Sequence, residues 1–195
     1  MARDGQMLKG SKVILREKRL EDATSDYSWR CDPELARLDA ASPMKSSFQD
    51  YLASYAEEIN FPVPWQERFA IETMDGKHIG NCMYFDIDNH KREAELGILI
   101  GDRAYWAKGY GRDAVTTLLN YIFDTAGLER VYLHTLEWNI RAQKCFAKCG
   151  FNARRRVLKN GHRFILMEIH RDERDAVGEK ASSESNTSPI SPAMG

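Results

Sequence analysis

The residues with the plainest chemical meaning form a loop, Trp106-Ala107-Lys108-Gly109-Tyr110-Gly111-Arg112-Asp113, between a short apolar run at 95–101 and a long amphipathic stretch. Apolar run, glycine loop, helix start is a recurring way to hold a pyrophosphate. The first amides of a helix have no partner inside it, and the helix dipole favours an anion at that end. Gly109 and Gly111 let a ligand come close to the backbone. Lys108 and Arg112 bring positive charge to where phosphates would lie. The loop lacks the third glycine of the dinucleotide fingerprint and the Gly-Lys-Ser/Thr of a P-loop. A tight turn ahead of a helix would use the same residues.

The elements that must position this loop can be read from spacing. From Tyr110 onward, Ala114, Val115, Leu118, Leu119, Ile122, Phe123 and Ala126 recur at three and four, which predicts a helix. Asp113 falls in its first turn and Gly127 follows its last, fitting a stop. The run before the loop reads as a strand over 93–101, and Gly97 within it predicts a bulge or a close ligand approach. After the helix, 130–137 reads as a strand, and Asn139, suited to an N-cap, opens a second helix ending near Gly150.

Upstream, 12–18 alternates apolar and charged residues and reads as a strand. A helix follows over 21–31, with a break near Asp32 because Pro33 follows it. Ser46 or Ser47 caps a helix to about Asn60, and 61–65 is an extended linker. Strands at 68–73 and 78–88 flank the Asp75-Gly76 turn, and strands at 152–158 and 164–170 flank Asn160-Gly161. Residues 1–10 read as a flexible lead-in, 11–171 as one domain, and 172–195 as a polar, disordered tail. Strands first, then strand–helix–strand, make a mixed α/β (α+β) sheet with helices packed on it.

Composition narrows the class. With 195 residues, 43% of them hydrophobic, the chain can bury a sizeable core. Its net charge of −1 gives no electrostatic reason to bind nucleic acid or an anionic membrane. There is no apolar run long enough to span a bilayer and no apolar h-region near the N-terminus, which predicts a cytoplasmic protein. Cys31, Cys82, Cys145 and Cys149 are then expected as reduced thiols, and no His/Cys set has zinc spacing, so no metal is expected.

Taken together, the segments ELGILIG, WAKGYGRDA and NIRAQKCFAKCGF resemble the acetyl-CoA-dependent N-acetyltransferases of the GNAT superfamily, most of all the ribosomal-protein alanine N-acetyltransferase (RimJ/RimL-type) branch. The resemblance covers nearly all of the expected domain. It implies a central, mostly antiparallel twisted sheet, splayed between its fourth and fifth strands, with helices on both faces. It implies acetyl-CoA as co-substrate. The pantetheine arm would pair with the backbone of Ile98, Leu99 and Ile100 like an added strand, and an amide near Leu99 or Ile100 would donate to the oxyanion. Asn139 matches the asparagine that holds pantetheine, and Ala142 and Lys144 lie along the same path. Where the family often has Gln or Arg, this chain has Trp106, so the loop acts through its backbone.

The same resemblance offers two bases for the acceptor amine, Glu95 and His134, and leaves the choice between them open. It places Phe146 where many members have a tyrosine that protonates the leaving thiolate. A thiol of pKa roughly 8.5 leaves readily without one. The implied reaction is acetylation of a primary amine. A protein or peptide N-terminus is the first reading, with a small molecule (polyamine, amino acid analogue or aminoglycoside-like amine) as the alternative and a non-catalytic acyl-CoA sensor as a third. Trp29 and Tyr84 fall among the acceptor-side residues, and Asp86 and Asp88 hint at an acidic patch. A monomer or homodimer is expected.

Overall fold

The computed structural model describes residues 7–174. Eight strands form one sheet: β1 (Met7–Lys9), β2 (Val13–Glu17), β3 (Gln66–Thr73), β4 (His78–Asp88), β5 (Glu93–Ile100), β6 (Arg130–Leu136), β7 (Asn152–Lys159) and β8 (His162–His170). Their order across the sheet is β1-β2-β3-β4-β5-β6-β8-β7. Short polar turns join β3 to β4 and β4 to β5, so those neighbours pair antiparallel. The link from β5 to β6 runs through a helix instead, so that pair alone is parallel. Counting the short β1, the expected opening between the fourth and fifth strands falls between β5 and β6.

That connecting helix, α4 (Tyr110–Asp124), covers one face of the sheet. Its predicted stripe of Ala114, Val115, Leu118, Leu119, Ile122 and Phe123 is fully or almost fully buried. It packs against Val13, Leu15, Ile71, Ile79, Ala94, Leu96, Val131 and Leu133. The other face carries α1 (Ala23–Cys31), α2 (Pro33–Leu38) and α3 (Phe48–Asn60). They are tied down by polar contacts such as Asn81 Nδ2 to Asp26 at 2.6 Å. The fifth helix, α5 (Ile140–Lys148), lies beside α4 near the sheet's β6 end.

Three segments differ from their sequence reading. Part of the lead-in is structured: Met7–Lys9 pairs with β2, from Met7 opposite Arg16 to Lys9 opposite Ile14. The turn after it docks on α4, where the Asp113 carboxylate accepts from Ser11 N (3.1 Å), Ser11 Oγ (2.7 Å), Lys12 N (2.7 Å) and Val13 N (3.0 Å). Gly10 permits this, since a Cβ there would sit 2.4 Å from Asp113 Oδ2. Asp113 is thus committed to the β1–β2 turn and not to a cofactor. The break expected near Asp32 is present, with Asp32 extended between α1 and α2, but a further helix follows it at once: Asp32 accepts from Glu34 N and Leu35 N, with Pro33 in the first turn. Residues 171–174 continue the fold, with Arg174 paired to Asp124 at 2.6 Å. The remainder of the expected tail, and residues 1–6, lie outside the described residues.

Asp113 generates a stability prediction. Burial alone would raise its carboxyl, but the donors from Ser11, Lys12 and Val13 outweigh that and hold it below the usual carboxylate range. A depressed folded-state pKa adds stability above the unfolded value, about 3.9, and loses it as pH falls through the folded one. Asp113→Asn should cost about 1–3 kcal/mol at neutral pH, with the gap to wild type narrowing at acid pH. Denaturant melts at pH 7 and near pH 3 check this; an undiminished gap at the lower pH contradicts it.

Candidate active site

The parallel pairing of β5 with β6 lasts three residue pairs, Glu93↔Arg130, Ala94↔Val131 and Glu95↔Tyr132, and then stops. Beyond it, β6 stays with β8 as far as Leu136, while β5 continues with β4 to Ile100. A V-shaped seam opens between them. The bulge expected at Gly97 lies instead on the neighbouring strand. Gly97 pairs regularly with Met83, and the register shifts between Phe85 and Asp88, where Asp86 takes a left-handed φ of 52°. An extra residue there bends β4 beside the start of the seam.

Backbone direction along β5 follows from one bond. Gly101 N–H donates to Ile79 O at 2.9 Å, so by antiparallel alternation the groups of Leu99 face β4 and those of Ile98 and Ile100 face the seam. Gly80 agrees: a Cβ on it would lie 2.1 Å from Leu99 O. The Ile100 carbonyl is already occupied, accepting from the Trp106 indole N–H at 2.6 Å. Of the expected 98–100 backbone, the Ile98 groups and the Ile100 N–H are therefore presented to the seam. Leu99 is turned away from it, since its ladder bonds belong to β4.

Glu95 and His134 meet where this seam begins to open. On β5, Ala94 and Leu96 face α4; on β6, Val131 and Leu133 do. Strand alternation turns Glu95, Tyr132 and His134 to the opposite face. There, His134 Nδ1 lies 2.8 Å from Glu95 Oε1. An ionised carboxylate only accepts, so Nδ1 carries the hydrogen and a neutral ring presents its Nε2 lone pair outward. Glu95 is 8% exposed. His134 also has an edge contact with Phe164 at 6.3 Å. The two residues left as alternatives by the sequence thus form one unit. Tyr132, which sequence reading passed over, stands beside it at 6.1 Å from the His134 ring. Burial, then the charges of Glu95, Asp86 and Glu93, raises its phenol above the ordinary tyrosine range.

The glycine loop stands at the open end of the seam. Ala107 and Gly109 both take left-handed φ values, 57° and 88°. The first helical bond is Asp113 N to Gly109 O, so the amides of Tyr110, Gly111 and Arg112 precede the helix ladder. Gly111 faces Ile100 and Cys145 with room to spare. Lys108 and Arg112 are exposed. Trp106 locks the loop to β5 through Ile100, and its ring lies under the Arg141 guanidinium at 3.7 Å. Arg141 was not singled out by sequence; its cue was a guanidinium in the first turn after Asn139. Asn139 caps α5, accepting from Ala142 N at 3.2 Å. Ala142 packs against the core cluster, while Lys144 is exposed on the outer side of α5. Phe146 points into the core, 5.9 Å from the Phe151 ring.

On the α1–α3 side a cavity of about 460 Å³ adjoins the seam, lined by Gly97, Ile98 and Leu99 of β5 and by Trp29, Tyr51 and Tyr55 among others. Trp29 lies flat on Gly101, where a Cβ would come within 2.0 Å of its ring, and sits 4.9 Å from the His78 ring. Tyr84 is not part of this wall. It faces α4, buried 6.3 Å from the Tyr121 ring, because two-residue alternation puts it opposite Met83 and Asn81. Asp88 caps the turn after β4, accepting from His90 N and Lys91 N. The cavity's own carboxylates are Asp26, Asp39, Asp50 and Glu58, facing Lys18, Arg30 and Arg68.

Comparison with known proteins agrees with this geometry. The acetyltransferase (GNAT) domain model matches residues 12–152, and the chain belongs to that family. A spermidine N(1)-acetyltransferase of Vibrio cholerae is 30% identical over 86 residues, 44% of this chain and 49% of that protein. The matched segment thus spans about half of that relative. An uncharacterised N-acetyltransferase, p20, of Bacillus licheniformis is 30% identical over 129 residues, 65% of this chain and 71% of its own. Among solved structures, the Vibrio cholerae spermidine N-acetyltransferase in complex with CoA and spermine superposes with a TM-score of 0.76 at 22% identity, covering 84% of this chain and 98% of that one. Two of these three carry polyamine names, and none carries a name of the ribosomal-protein branch. Among the described residues no helix is long and apolar enough to cross a membrane, and no cluster of three or more His, Cys, Asp or Glu side chains is placed to hold a metal.

Trp106 ties loop, strand and Arg141 together, so Trp106→Ala should loosen the cofactor end without unfolding the sheet. We expect a roughly 5- to 30-fold weaker Kd for coenzyme A by calorimetry, the equivalent of about 1–2 kcal/mol, with an unchanged far-ultraviolet spectrum. An unaltered Kd would show that the loop holds its shape without the indole.

Proposed function

We propose that this chain transfers acetyl from acetyl-CoA to the primary amine of a small acceptor of the polyamine class. The observation that carries the reading is the Glu95–His134 pair, bonded at 2.8 Å where the seam begins to open. The seam suits the donor. The Ile98 and Ile100 groups can take the pantetheine arm as an added strand, and the NH2 group of Asn139 can donate to the same arm. The amides of Tyr110 to Arg112 offer a pyrophosphate a helix N-terminus, with Arg112 and Arg141 beside it.

The residues divide the work simply. The acceptor enters as an ammonium, drawn by the Glu95 charge and by the carboxylates of the cavity. His134 Nε2 takes one proton, and Glu95 holds the resulting imidazolium in place. The freed amine attacks the thioester carbonyl, and the oxyanion is met by a seam-facing N–H of β5. The C–S bond breaks, the thiolate of coenzyme A leaves without a strong acid because its thiol pKa is roughly 8.5, and it takes up the second proton shed by the attacking nitrogen. Phe146 supplies no acid. The polyamine class is supported by the relatives with polyamine names and by Asp39 and Asp50 of the cavity, since Asp26 and Glu58 are already paired with Lys18 and Arg68.

The test is coenzyme A release from purified protein given acetyl-CoA and, separately, putrescine, spermidine, spermine, or peptides beginning Ala, Ser or Met. Release with the amines supports the proposal; release with peptides alone replaces it with N-terminal acetylation. Release with neither, while acetyl-CoA still raises Tm, favours the sensor. His134→Asn should lower kcat by about 10²–10⁴, with acetyl-CoA binding intact. Glu95→Gln should lower kcat less. Equal, small effects from both substitutions would show that the base lies elsewhere.

A further inference from the structure

The acceptor cavity already contains an ammonium, and it belongs to the protein. Lys18 follows the last residue of β2 and sends its side chain into the cavity wall, where it is 12% exposed. Its Nζ donates to Asp26 Oδ2 and to Asn81 Oδ1, and lies 5.4 Å from the centre of the Tyr55 ring. Asp26, 5% exposed, is a hub that also accepts from Tyr55 Oη at 3.0 Å and Asn81 Nδ2 at 2.6 Å. The Asn81 amide oxygen faces His78 Nε2 at 3.2 Å as well. A carboxylate, an amide oxygen and an aromatic face around one point are what a primary ammonium requires. Lys18, Asp26, Tyr55 and Asn81 all line the cavity with Gly97 and Leu99.

We propose that Asp26, Asn81 and Tyr55 form a primary-ammonium subsite of the acceptor cavity, that Lys18 occupies it in place of a ligand, and that this selects acceptors with fewer ammonium groups. The selectivity part rests on the acetyl-transfer reading above; the subsite itself does not. A long polyamine reaching this end of the cavity meets a like charge and a site already taken. Putrescine, whose second ammonium need not reach so far, escapes that penalty. Burial pushes the Lys18 ammonium below the ordinary lysine range and Asp26 restores part of that loss, so it is the Asp26 carboxylate that favours a cation at this point. Removing the head group therefore leaves a buried carboxylate whose natural partner is any ammonium of the right size.

Chemical rescue tests the subsite. In thermal melts, n-propylammonium chloride should raise the Tm of Lys18→Ala in a saturable way, with wild type unmoved. Tetramethylammonium, which has no N–H, and sodium chloride at equal ionic strength should do little. Adding Asp26→Asn to Lys18→Ala should abolish the response. If Lys18→Ala is unfolded alone, recovery of its far-ultraviolet signal with propylammonium is the same positive result. Selectivity is read from kcat/KM: Lys18→Ala, or Lys18→Met where the stem is needed for folding, should raise the spermine-to-putrescine ratio by about 10-fold. Absence of any propylammonium-specific rescue overturns the subsite. Rescue with an unchanged amine ratio overturns the selectivity alone, and rescue without turnover of any amine overturns the acetyl-transfer reading but keeps the subsite.

Discussion

The structure depends on a parallel pairing that is allowed to run for three residues and no further. In a sheet otherwise antiparallel, β5 and β6 are the one parallel pair among the described residues, joined through α4. A parallel pair leaves its backbone groups evenly spaced and slanted, so ending it early leaves donors and acceptors of β5 facing open space. Buried backbone groups must find partners. Trp106 answers for one of them, the Ile100 carbonyl. The others are available to a ligand with an amide backbone of its own. The same divergence puts Glu95 on the last paired rung and His134 two residues beyond it, close enough to bond but no longer held apart by a ladder.

The closed end of the seam needs a clamp, and ion pairs supply it. Arg130 on β6 reaches Glu93 on β5 at 2.5 Å and Glu168 on β8 at 2.6 Å, and its guanidinium lies 4.8 Å from the Tyr132 ring centre. Burial would lower Arg130, but Glu168 and Glu93 more than restore it. One cation thus bridges three strands at the rung where the parallel pairing begins. At the other side of the sheet, Arg16 makes an analogous bridge to Asp22 and Glu72. Removing one member would strand a partly buried charge, which costs far more than the intact pair contributes. The opening is therefore bounded by charge at its base and by the indole of Trp106 at its mouth.

How much of this the sequence disclosed follows from what each residue's neighbours are. The α4 stripe, the β3–β4–β5 meander and the last hairpin were legible because their signals are local: spacing, a turn pair, a cap at Ser47. The loop glycines were legible for the same reason, and the backbone conformations at Ala107 and Gly109 fit them. What failed was anything decided across the sheet. Tyr84 reads as an acceptor-side residue until Tyr121 is placed beside it. Asp113 reads as a generic first-turn acid until the Ser11–Val13 turn is seen against it. The bulge was assigned to Gly97 because glycine marks bulges in sequence, yet Asp86 on the partner strand bears it. Glu95 and His134 were each found, but their bond joins positions 39 apart and no spacing rule links them.

The placement of Phe146 bears on the proton inventory of the proposed reaction. Its ring belongs to the core, against Phe151, and carries no group that could protonate a thiolate. The proton taken from the acceptor must then return to solvent or to the thiolate by another route. Tyr132 is held protonated by burial and by the Glu95, Asp86 and Glu93 charges around it, so it can donate but cannot compete with His134 as a base. That separation of roles, one group kept as a donor and another oriented as an acceptor a ring's width away, is how neighbouring titratable groups take opposite duties. With a good leaving group, the barrier lies in freeing the amine and meeting the oxyanion. Those are the two steps for which the seam provides, through the histidine on β6 and the amides of β5 that its divergence exposes.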